Sequence, residues 1–446
     1  NNCIVVLNEA DKKIYAIKNN APLACGQTDD GSNYFVSSDP YALQKYIDTI
    51  YFPENEVLCV IYAKNEIEFY DIEFKKTNFF KTEKNSLLST DYQKGEFEHY
   101  MLKEIWEQPN LINQYSELCD VEKLEEFLRE KPKRISIVAC GTAYYAGLFA
   151  KNIIESKSQT PVSVDMASEF RYSTLTLKKE DLAIFISQSG ETADTLAALQ
   201  LCKDKGVKTL SILNVAHSTI YRQSDFNLMI HAGPEIGVAS TKAFTLQCIS
   251  SAFLAYAIVN ETTAEDKLYF LKHQMTTLSR KIQEVLHRSD EIKRIAEEAH
   301  DLSSFFFTGR NKNYAIALEG ALKLKEIAYV HAEGYASGEL KHGPIAMIDE
   351  SVLNIAYIDE NLYEKTLSNI QEIKTRKGLI LSVGKTDTTE IQDISNFLFK
   401  LDLEGLGEFS PLALNVFGQL FSYFVAKHKG TDIDKPRNLA KSVTVE

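Results

Sequence analysis

From Asn1 to about Asp71, apolar and polar residues alternate in short runs, CIVVL, KIYAI, NYFVSS, VLCVIYA and IEFYDIEF, separated by NEADK, DDGSN and FPENE. These β-rich runs, punctuated by Asn, Asp, Gly and Pro, predict strands joined by turns, so this segment reads as a fragment of sheet. The stretch from Lys75 to Gly95 loses the pattern and reads as a polar linker. A helix is expected over Glu96 to Glu107, stopping before Pro109, because proline cannot extend the helical ladder. Beyond Leu124, short apolar runs alternate with helical stretches, which predicts βαβ units and a parallel sheet.

That last zone repeats itself. RISIVACGTAYYAG (134–147) pairs with SFFFTGRNKNYAIALEG (304–320), each a strand, a turn and a helix. A second strand then ends in ASEFRY (167–172) or ASGELKH (336–342), and a third follows as DLAIFI or VLNIAYI. Two related α/β domains with right-handed crossovers account for this. The competing explanation is chance likeness between generic βαβ patterns.

Composition narrows the function classes. With 446 residues the chain exceeds what one core usually holds, about 250 to 300 residues, so two or three domains are expected. The hydrophobic share of 44% and charged share of 25% are those of an ordinary soluble globular protein. A formal charge of −13 without clustered Lys and Arg argues against nucleic acid as a partner. Seven scattered cysteines without a CxxC pair fit reduced thiols in a cytoplasm, and no metal or cofactor is expected. The longest apolar stretch, Ala252 to Val259, is far short of the ~20 residues of a membrane span.

Four segments carry candidate chemistry. In ISQSGETADTL, a strand runs into Ser187, Gln188, Ser189, Gly190 and Thr192 before a helix begins, so hydroxyls, an amide and free helix N–H groups converge as they would on a phosphate. The absence of lysine excludes the nucleotide-type GxxxxGK[ST] loop and favours a sugar phosphate. An N-terminal capping box with Ser189 as the cap explains the same residues. In ALEGALKLKEIAYVHAEG, Glu319, Lys323 and Glu326 share a helix face and suit proton transfer on a bound sugar, or form an exposed Glu–Lys pair. His342, before Gly343 and Pro344, either presents an imidazole or is a structural surface histidine. The tail RNLAKSVTVE is either frayed or pinned through Val443 and Val445, in which case Lys441 is an amine able to form a Schiff base.

Together CGTAYYAG, ASEFRY, SQSGETADTL, GPEIGVASTKAFT, ALEGALKLKE, GELKHGP and PRNLAKSVTVE stand in one order, and nearly the whole chain resembles the glucosamine-6-phosphate synthase family, the isomerizing glutamine–fructose-6-phosphate aminotransferases. The resemblance implies an α/β fold with two sugar isomerase (SIS) domains, each a parallel sheet flanked by helices. A β-rich partial Ntn-type glutaminase domain would precede them, with SSDPYAL and HYMLKEIWEQP as its closing signposts. The implied boundaries are 1–75 for that domain, 76–123 for a linker and connecting helix, 124–264 and 296–436 for the SIS domains, and 437–446 for an active-site tail.

The implied activity is conversion of fructose 6-phosphate and glutamine-derived ammonia to glucosamine 6-phosphate, the first step of amino-sugar synthesis toward UDP-N-acetylglucosamine. By resemblance, Ser187, Gln188, Ser189 and Thr192 hold the phosphate, and Cys140, Gly141, Thr142, Val238, Ser240 and Ala440 line the sugar site. Lys441 forms the imine at C2, Glu326 moves the proton between C1 and C2, Lys323 assists near C1, and Glu319 supports that helix face. His342 comes from a neighbouring subunit to open the ring, which implies a homodimer with a shared site; neither nucleic acid nor membrane is an expected partner.

Two departures from the family pattern stand out. CGTS is CGTA here, so Ala143 lacks one hydroxyl. The family's glutaminase uses an N-terminal cysteine, whereas Cys3 opens a strand-like run, so glutamine hydrolysis by this chain alone is not expected. Competing functions are a SIS-domain deglycase or phosphosugar isomerase, which a substrate panel of glycated amines would reveal, and a non-catalytic phosphosugar sensor, in which Lys441→Ala would leave ligand affinity intact.

Overall fold

The computed structural model describes residues 2–443 apart from 20, 22, 39–42, 44–45, 63–65, 85–92, 217 and 260–262. Most of SSDPYAL and Val445 of the tail lie outside them. The chain divides into two compact units, one of residues 1–93 with 191–193 and 442–446, the other of 94–190 and 194–441.

The first unit holds two small antiparallel sheets rather than the one expected. β1 (Asn2–Asn8), β2 (Lys13–Asn19), β6 (Leu58–Tyr62) and β7 (Glu66–Tyr70) form one in the order β1-β2-β6-β7. β3 (Ala24–Gln27), β4 (Tyr34–Ser37), β5 (Thr49–Pro53) and β8 (Phe80–Lys84) form the other in the order β4-β3-β5-β8. Their inner faces share a core of Ala16, Cys25, Val57, Cys59, Ile61 and Phe69. β8 falls inside the expected linker, because Phe80 stacks on Phe69 at 4.0 Å between ring centroids while its strand pairs with β5. Two aromatic residues outweigh the polar composition around them.

In the second unit, the first helix, α1 (Tyr100–Leu118), passes through Pro109 instead of stopping before it. Proline withholds one N–H from the carbonyl four residues back. That carbonyl, on Ile105, accepts the Gln108 side-chain amide at 3.2 Å instead. Met101, Ile105, Ile112 and Tyr115 then bury one whole face of the helix, which repays the lost ladder bond. A short α2 (Val121–Phe127) follows, capped by Asp120.

The repeat is real in three dimensions. β9 (Ile135–Ala139), β10 (Val162–Met166), β11 (Leu182–Ser187), β12 (Lys208–Leu213) and β13 (Phe226–Met229) form a parallel sheet in the order β10-β9-β11-β12-β13. β14 (Ser304–Gly309), β15 (His331–Ala336), β16 (Val352–Ile358), β17 (Leu379–Gly384) and β18 (Phe397–Lys400) repeat that order as β15-β14-β16-β17-β18. Near-continuous apolar strands such as LAIFI and VLNIAYI are buried on both faces, as parallel sheets require. The crossover helices of the first copy include α3 (Gly141–Ser158), α4 (Ala167–Phe170), α5 (Ala193–Asp204) and α6 (Thr219–Gln223), with α7 (Lys242–Ile258) closing it. Two amphipathic helices, α8 (Ala264–His287) and α9 (Ser289–Ala299), lead to the second copy. There the helices are α10 (Lys312–Ala328), α11 (Tyr363–Lys374), α12 (Thr389–Ile394) and α13 (Ser410–Lys429).

α13 is long and apolar enough to cross a membrane, and it exceeds the 252–259 stretch expected to be the longest apolar segment. Interspersed Asn415, Gln419 and Ser422 hide it from a simple count of consecutive apolar residues. Every residue from Ser410 to Ala426 is buried, which makes it a core helix. α10 packs on α13 and also on α3, so the second copy lays one of its helices against the first.

Candidate active site

A doubly wound sheet ordered 2-1-3-4-5 opens a crevice where the chain leaves its first and third strands in opposite directions. In the first copy these are β9 and β11, and their ends carry Cys140-Gly141-Thr142 and Ser187-Gln188-Ser189-Gly190. Gly141 opens α3 at φ +53°, a left-handed conformation that glycine adopts without penalty. Ser187 is buried at the end of β11, and its hydroxyl accepts the Gly190 N–H at 3.0 Å. Gly190 sits at φ +67°, and a Cβ there would lie 2.0 Å from the Ser218 hydroxyl oxygen, so only glycine fits the bend. Its carbonyl accepts Ile220 N–H at 3.0 Å, and the Gln188 carbonyl accepts Asn214 N–H at 3.2 Å. Gln188, Ser189 and Thr192 are half-buried. α5 starts at Ala193, so Thr192 rather than Ser189 stands directly before its first turn.

The ASEFRY tag has a job here that its sequence did not announce. Arg171 pairs with Asp194 in the first turn of α5 at 2.9 Å, tying the loop after β10 to the helix whose start faces the bend. Cys140 lies 3.8 Å from the Thr195 hydroxyl, and burial pushes its thiol up. Ala143 belongs to the hydrophobic core.

From the other side comes the buried face of α10. Glu319 and Lys323 are 0% and 1% exposed, which overturns the exposed-pair reading. Lys323 Nζ lies 2.7 Å from Glu326 and 3.4 Å from Glu319, and it donates to the Thr142 hydroxyl at 3.2 Å. That hydroxyl donates in turn to Glu319 at 3.3 Å. Burial alone would lower the Lys323 pKa, but Glu319 and Glu326 outweigh it and hold the amine protonated. Burial raises Glu319 to about 8 against the pull of Lys323, and Glu326 adds to the rise. The buried Lys323 charge therefore sits between Glu326 and a Glu319 carboxyl that holds its proton more tightly than usual.

The tail closes the group. It is not frayed: Arg437 N–H donates to the Tyr329 hydroxyl at 2.8 Å, and its guanidinium lies over that ring at 4.4 Å. Lys441 Nζ lies 2.5 Å from Glu235 and donates to the Gly237 carbonyl at 2.8 Å. Glu235 is fully enclosed and also accepts from the Ser240 hydroxyl at 3.1 Å and from the N–H groups of Thr241 and Ala243 at 2.9 and 3.0 Å. Burial pulls its pKa up, but the Lys441 ammonium and these donors outweigh it and keep it ionised. Glu235 also helps raise the pKa of Lys323, so the two charged groups feel each other.

Val238 is half-buried and donates its N–H to the Asp434 carbonyl at 3.0 Å, while Ala440 is exposed. His342 ends a short 3-10 helix, Ser337–His342, and is exposed. Among the described residues, no hydrogen bond or ion pair joins it to Lys323, Glu326 or Lys441. Sequence reasoning passed over Glu235 and also Glu104 on α1, whose carboxyl accepts the Ile236 and Gly237 N–H groups at 2.5 and 3.1 Å. Both glutamates stood in quoted motifs, GPEIGVAST and HYMLKEIWEQP, and the available signal was an acidic residue inside a segment otherwise suited to burial.

The second copy's crevice has different chemistry. A cavity of about 470 Å³ lies beyond the end of β16, lined by Asp359, Glu360, Glu404 and Glu408 with Lys157 and Tyr256. Asp359 and Glu360 follow β16 where Gln188 and Ser189 follow β11, and Glu408 in the lining pairs with Lys157 at 2.9 Å.

Comparison with known proteins agrees with the duplicated fold. The SIS domain family matches residues 128–257 and 300–400. The chain is 39% identical to a glutamine–fructose-6-phosphate aminotransferase (isomerizing) of Caldanaerobacter subterraneus subsp. tengcongensis, over 99% of this chain and 74% of that protein. It is 42% identical to the protein of that name from Brucella melitensis biotype 1, with the same coverage. The C-terminal domain of the glucosamine-fructose-6-phosphate aminotransferase from Francisella tularensis superimposes with a TM-score of 0.71 at 39% identity, covering 77% of this chain and 99% of that one.

Proposed function

The chain belongs to the family of isomerizing glutamine–fructose-6-phosphate aminotransferases, and from that premise we propose that it makes glucosamine 6-phosphate from fructose 6-phosphate and glutamine-derived ammonia at the crevice of its first SIS domain. The observation that carries this reading is the placement of Lys441. The one tail amine is held by the buried Glu235, whose charge is felt by the acid–base cluster of α10.

In the proposed reaction, Ser187, Gln188, Ser189 and Thr192 hold the phosphate at the positive end of α5. Cys140, Gly141, Thr142, Val238, Ser240 and Ala440 line the sugar. Lys441, once it has passed its proton to the surrounding carboxylates, adds to the C2 carbonyl and water leaves as the imine forms. Ammonia then displaces the lysine at C2. Glu326 takes a proton from C1 and returns it to C2, which converts the ketose skeleton into the aldose. Lys323, buried and charged, stabilises the oxygen at C1 as negative charge builds there, and Glu319 keeps that amine in place. The carboxylate-lined crevice of the second copy favours the first as the hexose site.

The test is direct. Folded protein supplied with ammonium salts and fructose 6-phosphate should release glucosamine 6-phosphate, or glucose 6-phosphate in the absence of ammonium. Neither product from folded protein would refute the proposal, and turnover of glycated amino acids in their place would favour the deglycase.

We further propose a cytoplasmic homodimer in which His342 opens the sugar ring in the partner's crevice, consistent with its exposure. Mixing inactive His342→Ala and Lys441→Ala proteins should then restore about a quarter of parental activity, because one statistical site in four regains both groups. No recovery on mixing and subunit exchange would assign His342 to its own subunit's chemistry or to none.

A further inference from the structure

α1 precedes both SIS copies and reads in sequence as a connecting helix, yet it reaches into the catalytic group. Glu104 on α1 is 2% exposed. One of its oxygens accepts the N–H groups of Ile236 and Gly237 at 2.5 and 3.1 Å. Those residues follow Glu235, and the Gly237 carbonyl accepts from Lys441. A single carboxyl thus pins the backbone that supplies both of the tail amine's partners. The other Glu104 oxygen is enclosed without a hydrogen-bond partner and lies 3.0 Å from where a Gly237 side chain would begin. At the same end of the helix, Asp434 accepts the Tyr100 and Met101 N–H groups at 2.9 and 3.0 Å while its carbonyl takes the Val238 N–H at 3.0 Å. α1 is therefore laced to the segment 235–238 and to the approach of the tail at once.

We infer that Glu104 is a positioning residue for imine formation: by holding the Ile236–Gly237 backbone it fixes the site in which Lys441 is presented to the sugar carbonyl. The inference rests on the role proposed above for Lys441. Around Glu104 stand Glu235 from the loop, Lys441 from the tail and Lys242 from α7, and on its own helix Glu107 takes up both Lys242 and Lys103. Burial and the charge of Glu235 raise the Glu104 pKa, and the Lys441 and Lys242 ammonium groups oppose them. With Glu235 ionised against Lys441, Glu104 is the carboxyl that keeps its proton, and a glutamine copies that state without changing its size.

The experiment measures the rate at which cyanoborohydride traps a covalent adduct between fructose 6-phosphate and the full chain by intact mass. Affinity for glucitol 6-phosphate, which has the phosphate and no carbonyl, is measured alongside. Glu104→Ala should slow trapping about tenfold, as expected when two N–H groups lose a buried acceptor. Its affinity for glucitol 6-phosphate should stay within about twofold of the parent, and Glu104→Gln should recover most of the trapping rate. Trapping by Glu104→Ala at the parental rate would overturn the inference. So would a glutamine variant as slow as the alanine, or a parallel loss of glucitol 6-phosphate affinity, which would mark a general structural role. Failure of the parent itself to form an adduct at Lys441 would instead overturn the reading of Lys441 on which the inference depends.

Discussion

Lys441→Ala is expected to lower the rate of amination by three orders of magnitude or more, on the order of what removing a covalent nucleophile costs other enzymes. Affinity for glucitol 6-phosphate should hold within about twofold, since the hydroxyl bend proposed to hold the phosphate keeps its own bonds. Lys441→Arg separates the two roles of this residue. A guanidinium can still pair with Glu235, but it cannot form an imine at neutral pH. Steady-state assays with ammonium as the nitrogen source should therefore find the arginine variant as inactive as the alanine. An active arginine variant would demote Lys441 from nucleophile to electrostatic support.

Lys323→Met should cost about 3–5 kcal/mol of stability, the usual result of removing one member of a buried charged group. Lys323 is enclosed, and it pairs with Glu326 at 2.7 Å while Glu319 lies 3.4 Å away. Urea titration at pH 7.5 gives the value, and a loss below about 1 kcal/mol would show that the carboxyls re-pair without the amine. The partner experiment replaces Glu319 by glutamine. Its raised pKa, about 8, means that the folded chain keeps a proton which the unfolded chain releases near the ordinary value of 4.5. The contribution to stability is complete below the unfolded value and is lost as pH rises toward about 8. The parent's stability should therefore fall more steeply than that of Glu319→Gln across this window. Parallel curves would mean that Glu319 is already ionised.

Much of this arrangement was legible before any coordinates. The repeat could be aligned by strand, turn and helix, because apolar runs buried on both faces leave an unmistakable mark, and both sheets take the same order. The bend at Ser187–Gly190 announced itself by packing hydroxyls and glycine between a buried strand and a helix. Where the reading failed, a long-range partner decided. Pro109 looked like a stop, but the side chain of Gln108 takes over the freed carbonyl and the helix runs on to Leu118. Phe80 looked like part of a linker until Phe69 was there to stack on. Glu319 and Lys323 read either as groups for proton transfer or as an exposed pair, and nothing local in ALEGALKLKE decides, because it is packing of α10 on α3 that buries them. Glu104 and Glu235 carry no periodic signal at all, since their role exists only once α1 and the segment before α7 meet.

The helix that follows β14 packs on α3 of the first copy and brings Glu319 and Lys323 to that copy's Thr142. Under the proposed mechanism neither half of the duplication is a whole enzyme: one copy would hold the substrate, and its twin would lend the proton-handling face. A chain with a single such domain would have to borrow that face from another molecule of itself. Fusing the pair converts what would be a concentration-dependent encounter into a permanent feature of one polypeptide, and it frees the second crevice to drift away from anion binding.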